Sequence, residues 1–318
     1  MSYTLLNTDC FDWLASRHVN SIHAVVTDPP YGLIEFSEKE RGILRHGHRG
    51  GVWRIPPKLN GVERDPLPRF TILTDREKAK LRDYMRDWAM VLMPALVPGA
   101  HVCIAGNASL QYLVQSAMAE AGFEVRSAIM RLYVGLRGGD RPKLAEKEFP
   151  EVCVTPRGGY EPWMLFRKPI AERTVADNLR RWGTGGLRRL AGERPLPDVI
   201  PSSRTPDMEA NLAKHPTMKP QHLLRILVRA MLPCGEGIVL DTFAGSGSTL
   251  AAAQAVGYES IGTELDTHYH EEAARLIPLL AKMYPGLNGD SLEQPSALVN
   301  AVNMPRKQPK QSPQHLLI

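Results

Sequence analysis

Asp28-Pro29-Pro30-Tyr31 sets a carboxylate, a carbonyl between prolines and an aromatic ring at consecutive positions. Proline fixes the local backbone direction, so the carboxylate of Asp28 and the carbonyl of Pro29 can face one cleft as two hydrogen-bond acceptors. Two acceptors match one exocyclic amino group. Such a nitrogen, conjugated to a purine or pyrimidine ring, is a poor nucleophile because its lone pair is delocalised. Accepting both of its hydrogens draws it towards a tetrahedral state and frees the lone pair for in-line attack on a sulfonium methyl. Tyr31 supplies a face on which an extruded base can stack. Taken alone, the same four residues also read as a turn that ends a strand, with the aspartate as a helix cap.

A second constellation lies far along the chain, at Asp241-Thr242-Phe243-Ala244-Gly245-Ser246-Gly247-Ser248-Thr249. It follows a predicted strand and opens a predicted helix, where α/β sheets hold nucleotide-like ligands, and its glycines admit close approach of a ligand to the backbone. Leu250 occupies the place of a third glycine, and no Gly-Lys-Ser/Thr follows, so it is neither a dinucleotide fingerprint nor a phosphate loop. By itself it reads equally as a structural turn. Glu264, about 20 residues on at a strand end, can accept from two ribose hydroxyls or serve as a helix N-terminal charge.

These residues need a scaffold, and the pattern supplies one. Tyr3 to Asn7 reads as a strand, a helix begins near Asp9, and Ile22 to Thr27 is a buried strand stopped by the prolines. Arg76 to Leu96 has helical spacing, and Pro98-Gly99 then introduces a strand over His101 to Ala105. A helix over Ala108 to Ala121 and a strand over Glu124 to Tyr133 follow. After an irregular stretch, helix and strand alternate again from Gln221 to Met283. The alternation predicts an α/β fold, a doubly wound, mostly parallel sheet with helices on both faces. Residues 1–134 and 214–284 are expected to form the core, 135–213 an inserted lobe, 35–70 a mobile loop, and the proline-spaced, polar 285–318 a disordered tail.

Composition narrows the class. Hydrophobic residues make up 43% and charged ones 23%, the balance of a globular chain rather than a disordered one. No run approaches the roughly 20 apolar residues of a membrane helix, and the start lacks a signal core, so a cytoplasmic protein without membrane contact is expected. Cys10, Cys103, Cys153 and Cys234 are widely separated, which supports neither a disulfide framework nor a metal site. Between Arg131 and Arg204 there are fifteen Lys and Arg against nine Asp and Glu, a surplus of six that exceeds the net +5 of the whole chain. Such a surplus is either the footprint of a phosphate-binding surface or an ordinary solvated face.

In order, Asn7-Thr8-Asp9-Cys10, Asp28 to Tyr31, His215-Pro216-Thr217-Met218-Lys219-Pro220, Asp241 to Thr249, and Gly262-Thr263-Glu264 with Tyr269 and Ala273 resemble the amino-methyltransferases of DNA, which modify N6 of adenine or N4 of cytosine. The resemblance is to the β arrangement, in which the base-binding turn precedes the target-recognition region and the cofactor loop follows it. It implies S-adenosylmethionine as cofactor and double-stranded DNA as partner, and it admits a homodimer and a cognate restriction enzyme. It also implies that Asp28, Pro29, Pro30 and Tyr31 hold the flipped base. Asp9 and Cys10 would lie against the cofactor adenine, and Thr217 and Lys219 near its methionine carboxylate. Asp241, Phe243, Ala244, Gly245, Ser246 and Gly247 would line the cofactor, with Glu264 on the ribose. Thr242 and Thr8 depart from the proline and glycine usual there. An aspartate in the base-binding turn goes with adenine more often than with cytosine. An N4-cytosine enzyme, an RNA methyltransferase and an inactive DNA-binding relative are the alternatives. Arg180, Arg181, Arg188 and Arg189, around the Gly183 to Gly186 turn, are the expected DNA contacts. The 35–70 loop, with Arg41, Arg45, His46, His48, Arg49, Trp53, Arg54 and Lys58, can close over a flipped nucleotide or simply pack.

Overall fold

A computed structural model describes residues 3–30, 58–59, 62–63, 73–132, 139, 141–142, 144–202, 204–212 and 218–293. In chain order the elements are β1 (Tyr3–Asn7), α1 (Cys10–Ala15), β2 (Ile22–Thr27), the paired β3 (Lys58–Leu59) and β4 (Val62–Glu63), α2 (Asp75–Ala95) and β5 (Leu96–Ala105). Then come α3 (Gln111–Glu120), β6 (Glu124–Val125), β7 (Ile129–Leu132), β8 (Tyr160–Arg167), α4 (Val175–Trp182), β9 (Val199–Pro201) and α5 (Asp207–Ala210). Finally α6 (Gln221–Met231), β10 (Ile238–Asp241), α7 (Ser248–Val256), β11 (Glu259–Glu264) and α8 (Thr267–Lys282) complete the fold.

The main sheet runs β1-β11-β10-β2-β5-β8-β7-β9, with β6 beside β8. Pairings are parallel from β1 through β5 and between β7 and β9, while β8 is antiparallel to β5, β6 and β7. Thus β8 runs against its neighbours. Alternate side chains leave opposite faces of each strand. Val25, Val102, Ile104, Met164 and Phe166 pack with Trp13, Met85, Trp88, Leu92 and Met118 of α1, α2 and α3. Their neighbours Ala24, Val26, Cys103, Trp163 and Leu165 pack on the other face with Leu223, Leu227 and Met231 of α6. Both faces are therefore buried, which is why these strands read as continuous apolar runs in the sequence.

Local chemistry sets the helix ends. Thr74 and Glu77 form a reciprocal capping box at the start of α2. The far end of α8 has another solution: the Arg225 guanidinium of α6 donates to the carbonyls of Leu280, Ala281, Met283, Tyr284 and Leu287.

Three expectations change. The strand expected over Glu124 to Tyr133 is two, because residues 126–128 oppose only Met164 and Leu165 of β8, a bulge that breaks the ladder. The strand expected from His101 starts at Leu96, with Pro98 and Gly99 inside it. Gly99 has φ +81°, and a Cβ there would meet Asn178 Nδ2 at 2.5 Å, so only glycine fits under α4. The lobe boundary expected at 135–213 cuts through the sheet, since β8 lies hydrogen-bonded between β5 and β7 and its Trp163, Met164 and Phe166 are fully buried.

Candidate active site

The chain turns in opposite directions from the centre of the sheet. From β2 it crosses through α2 to β5, and from β10 through α7 to β11 on the other side. The crevice above the carboxyl ends of β2 and β10 is therefore a topological switch point, where open α/β sheets hold ligands. Asp28 follows β2 directly and Asp241 ends β10, so two carboxylates from distant parts of the chain meet at one crevice.

Asp241 holds the floor of this crevice. Its Oδ1 accepts from Thr27 Oγ1 at 2.6 Å and from the Phe243 backbone N–H at 3.1 Å. Burial pushes its carboxyl up to about 6 despite these donors. The following loop is shaped by two left-handed glycines, Gly245 at φ +50° and Gly247 at φ +75°. A Cβ on Gly247 would meet Ile277 Cγ1 at 2.5 Å, so the helix α7 starts close against α8 only because the side chain is absent. Ser246 and Ser248 share a 2.8 Å hydroxyl contact within the loop, and the Ala244 N–H donates to Thr263 O.

Glu264, at the end of β11, accepts from the Gly245 N–H through Oε2 at 2.8 Å and from the Asp266 N–H through Oε1 at 2.9 Å. It thereby ties the glycine loop to the next strand end. The Phe243 ring lies 6.0 Å from Trp88 and 6.5 Å from Tyr84, and Phe11 meets Tyr84 edge-on at 5.4 Å, which makes an apolar aromatic wall on this side. Asp9 caps α1 by accepting from the N–H groups of Phe11 and Asp12. Burial, then the charge of Asp9, pushes the Cys10 thiol up to about 12, so it remains a neutral packing group.

On the other side stands a group of charges. Lys219, just before α6, places Nζ 2.5 Å from Asp28 Oδ2 and 3.3 Å from Glu161 Oε1. Glu161 Oε2 accepts from Arg131 Nη1 at 3.0 Å and Trp163 Nε1 at 3.2 Å. Burial lowers the Lys219 ammonium, but the Asp28 and Glu161 charges outweigh it and hold the group above its ordinary value. Lys219 was expected near a methionine carboxylate; its partners here include the carboxylates of Asp28 and Glu161. Glu161 and Arg131 carried no functional expectation, because Glu161 fell inside the stretch that looked irregular and Arg131 in a strand with no site assigned to it. The four successive apolar residues Trp163 to Phe166 were the available sign of a buried strand.

The structure therefore brings Asp28, Pro29, Pro30, Lys219, Asp241 to Gly247 and Glu264 to one edge of the sheet. Tyr31, Thr217 and most of the 35–70 loop lie outside the described residues. The four arginines expected to meet DNA are elsewhere. Because β8 runs backwards, the segment that leaves it, including α4 and the turn after it, emerges at the amino ends of the parallel strands. There Asn178 of α4 bonds Pro98 O at the start of β5, and Arg188 donates to Tyr258 OH just before β11. Arg180 pairs with Asp177, Arg181 with Glu172, and Arg189 donates to Glu193 O. The four therefore lie at the edge opposite the crevice. Among the described residues, the exposed Arg141, Lys147 and Arg157 belong to the segment between β7 and β8, which leaves β7 at the crevice end of the sheet.

Comparison with known proteins agrees with this geometry. The profile of the DNA methylase family matches residues 22–275. The chain belongs to the N6/N4 DNA methylase family. It is 23% identical over 273 residues to Type II methyltransferase M2.DpnII of Streptococcus pneumoniae, covering 86% of this chain and 88% of that one. Over a shorter span of 63 residues, 20% of this chain and 21% of its relative, it is 47% identical to DNA adenine methyltransferase YhdJ of Escherichia coli K12. Its fold is that of TTHA0409, a putative DNA modification methylase from Thermus thermophilus complexed with S-adenosylmethionine. The TM-score is 0.54 at 22% identity, over 89% of this chain and 96% of that one. It is equally that of the cytosine-N4-specific PvuII DNA methyltransferase, at TM-score 0.54, 16% identity and 94% of each chain.

This DNA methylase uses S-adenosylmethionine. The crevice fits such a group: the loop turns through two left-handed glycines at the switch point, the wall is aromatic, and a carboxylate stands at the strand end. No helix among the described residues is long and apolar enough to cross a membrane.

Proposed function

We propose that this DNA methylase modifies N6 of adenine within a specific sequence of double-stranded DNA. The observation that carries the reading is Asp28 at the carboxyl end of β2, one residue beyond the Thr27–Asp241 bond and directly beside the cofactor loop. The turn supplies an anionic acceptor where a serine, the residue more usual in cytosine enzymes, would supply a neutral hydroxyl. Likeness over a short span to a DNA adenine methyltransferase points the same way.

On this reading Asp28 and the Pro29 carbonyl accept the two amino hydrogens of a flipped adenine, and Tyr31 stacks on its ring. Bound in the crevice, S-adenosylmethionine supplies an electrophilic sulfonium methyl. The nitrogen lone pair forms the N–C bond as the C–S bond breaks, its electron pair stays on sulfur, and the nitrogen then loses one proton to solvent. Asp9, Cys10, Phe243, Ala244, Gly245, Ser246, Gly247 and Glu264 hold the cofactor, with Thr217 at the methionine end.

The test is to digest DNA methylated by the purified protein and to separate the nucleosides by mass spectrometry. N6-methyladenine is the expected product. N4-methylcytosine as sole product would overturn the base assignment and leave the family intact.

A further inference from the structure

Glu161, the second residue of β8, lies opposite Arg131 of β7 and is the centre of a line of alternating charges. Asp28, Lys219, Glu161 and Arg131 contribute two negative and two positive charges, and Arg131 Nε donates onward to Ser202 Oγ beyond β9 at 3.0 Å. The side chains are little exposed, at 18%, 11%, 19% and 5% in that order. Five separate stretches of chain meet here, and the line ends on the carboxylate proposed to hold the target base.

We infer that Glu161 is a positioning residue for methyl transfer, anchoring Lys219 so that its ammonium, held on Oδ2, fixes the orientation of the Asp28 carboxylate proposed to meet the target amino group. The inference rests on the base-binding role proposed for Asp28. A lysine ammonium is a compact charge with three donors on a flexible four-carbon stem. The second contact, to Glu161, limits how far the ammonium can swing about the Asp28 carboxylate. Burial would raise the Glu161 carboxyl, but the Lys219 and Arg131 charges hold it below the usual carboxylate range, so the anchor stays anionic. Trp163 Nε1 and Arg131 Nη1 in turn fix the anchor from the strand side.

Glu161→Gln keeps the shape of the side chain and removes its charge. Because a displacement of about 1 Å can cost about a hundredfold in rate, the variant should lose at least about tenfold in kcat. The Kd for S-adenosylmethionine, by calorimetry, and the KM for DNA should stay within about twofold. Should the single variant fold poorly, Arg131→Gln added to it restores charge balance. That double variant should regain the parental melting temperature while kcat stays low. Recovery of kcat along with stability would make Glu161 a mere counter-charge for Arg131 and overturn the inference, as would parental kcat in Glu161→Gln.

In an Asp28→Asn background, single-turnover rates should fall no further on adding Glu161→Gln. A further tenfold loss would mean that Glu161 acts elsewhere, and the inference would fail. Full activity in Asp28→Asn alone would instead bring down the base-binding reading beneath it. Parental kcat in Glu161→Gln beside a crippled Asp28→Asn would sink this inference only.

Discussion

Thr27 donates its hydroxyl to Asp241 Oδ1 at 2.6 Å, joining the last residue of β2 to the last residue of β10 inside the sheet. The bond fixes the distance between the strand that leads to the base-binding turn and the strand that leads to the cofactor loop. Together with the parallel pairing of β2 and β10, this buried contact sets Asp28 and Asp241 in place before any ligand is bound.

Thr27→Val is nearly isosteric and removes the donor. The buried Asp241 carboxylate then loses a hydrogen bond, worth about 1–3 kcal/mol, and its carboxyl rises further above about 6. A raised carboxyl penalises only the ionised form, so the cost should be full at pH 8 and shrink as Asp241 protonates towards pH 5. Urea unfolding of both proteins at the two pH values measures this. Equal losses at pH 5 and pH 8 would show that the hydroxyl does not serve the carboxylate.

Glu209 of α5 gives a separate pH signature. Its Oε2 accepts from the Gln221 N–H at 3.0 Å and so caps α6, whose preceding Pro220 has no side chain to do it. Burial pushes the Glu209 carboxyl up to about 7. A folded value above the unfolded one, about 4.3, means that the fold favours the protonated acid. This contribution is complete below about pH 4 and is lost as pH rises through 7. The stability of the parental protein relative to Glu209→Gln should therefore fall by about 3 kcal/mol between pH 4.5 and pH 8. A difference that does not change with pH would refute the assignment.

DNA binding should depend on salt through the crevice edge. Replacing Arg141, Lys147 and Arg157 with glutamine should flatten the slope of log K against log salt by about 0.9 for each phosphate that is no longer neutralised. The same change at Arg180, Arg181 and Arg189, on the opposite edge, should leave the slope as it was. Fluorescence anisotropy over a salt series separates the two, and the reverse result would put the DNA on the amino-end side.

Much of this site was visible in the sequence, for identifiable reasons. Strands buried on both faces are continuous apolar runs, so Ile22 to Thr27 and the ends at Asp28, Asp241 and Glu264 stood out. The glycine loop declared itself through residues needed at positive φ. What stayed hidden was the reversal at β8. Pro162 sits inside that strand, where its carbonyl accepts from Gly106 N–H, and a proline there made the run look like a loop. With β8 missed, the direction of everything after it was lost, and a count of basic residues carries no information about edges. The part played by Glu161 and the edge on which the four arginines lie were hidden by that single cause.

The guanidinium of Arg225 has a consequence for how the molecule comes apart. Helix ends ordinarily fray one carbonyl at a time into water, at almost no cost to the rest. Here the carbonyls from Leu280 to Leu287 are gathered on one side chain rooted in α6. Five of these carbonyls, those of Leu280, Ala281, Met283, Tyr284 and Leu287, share that one guanidinium, so loosening of the end of α8 is coupled to α6. This margin of the fold is a cooperative edge rather than a ragged one, as stable as the helix pair that forms it.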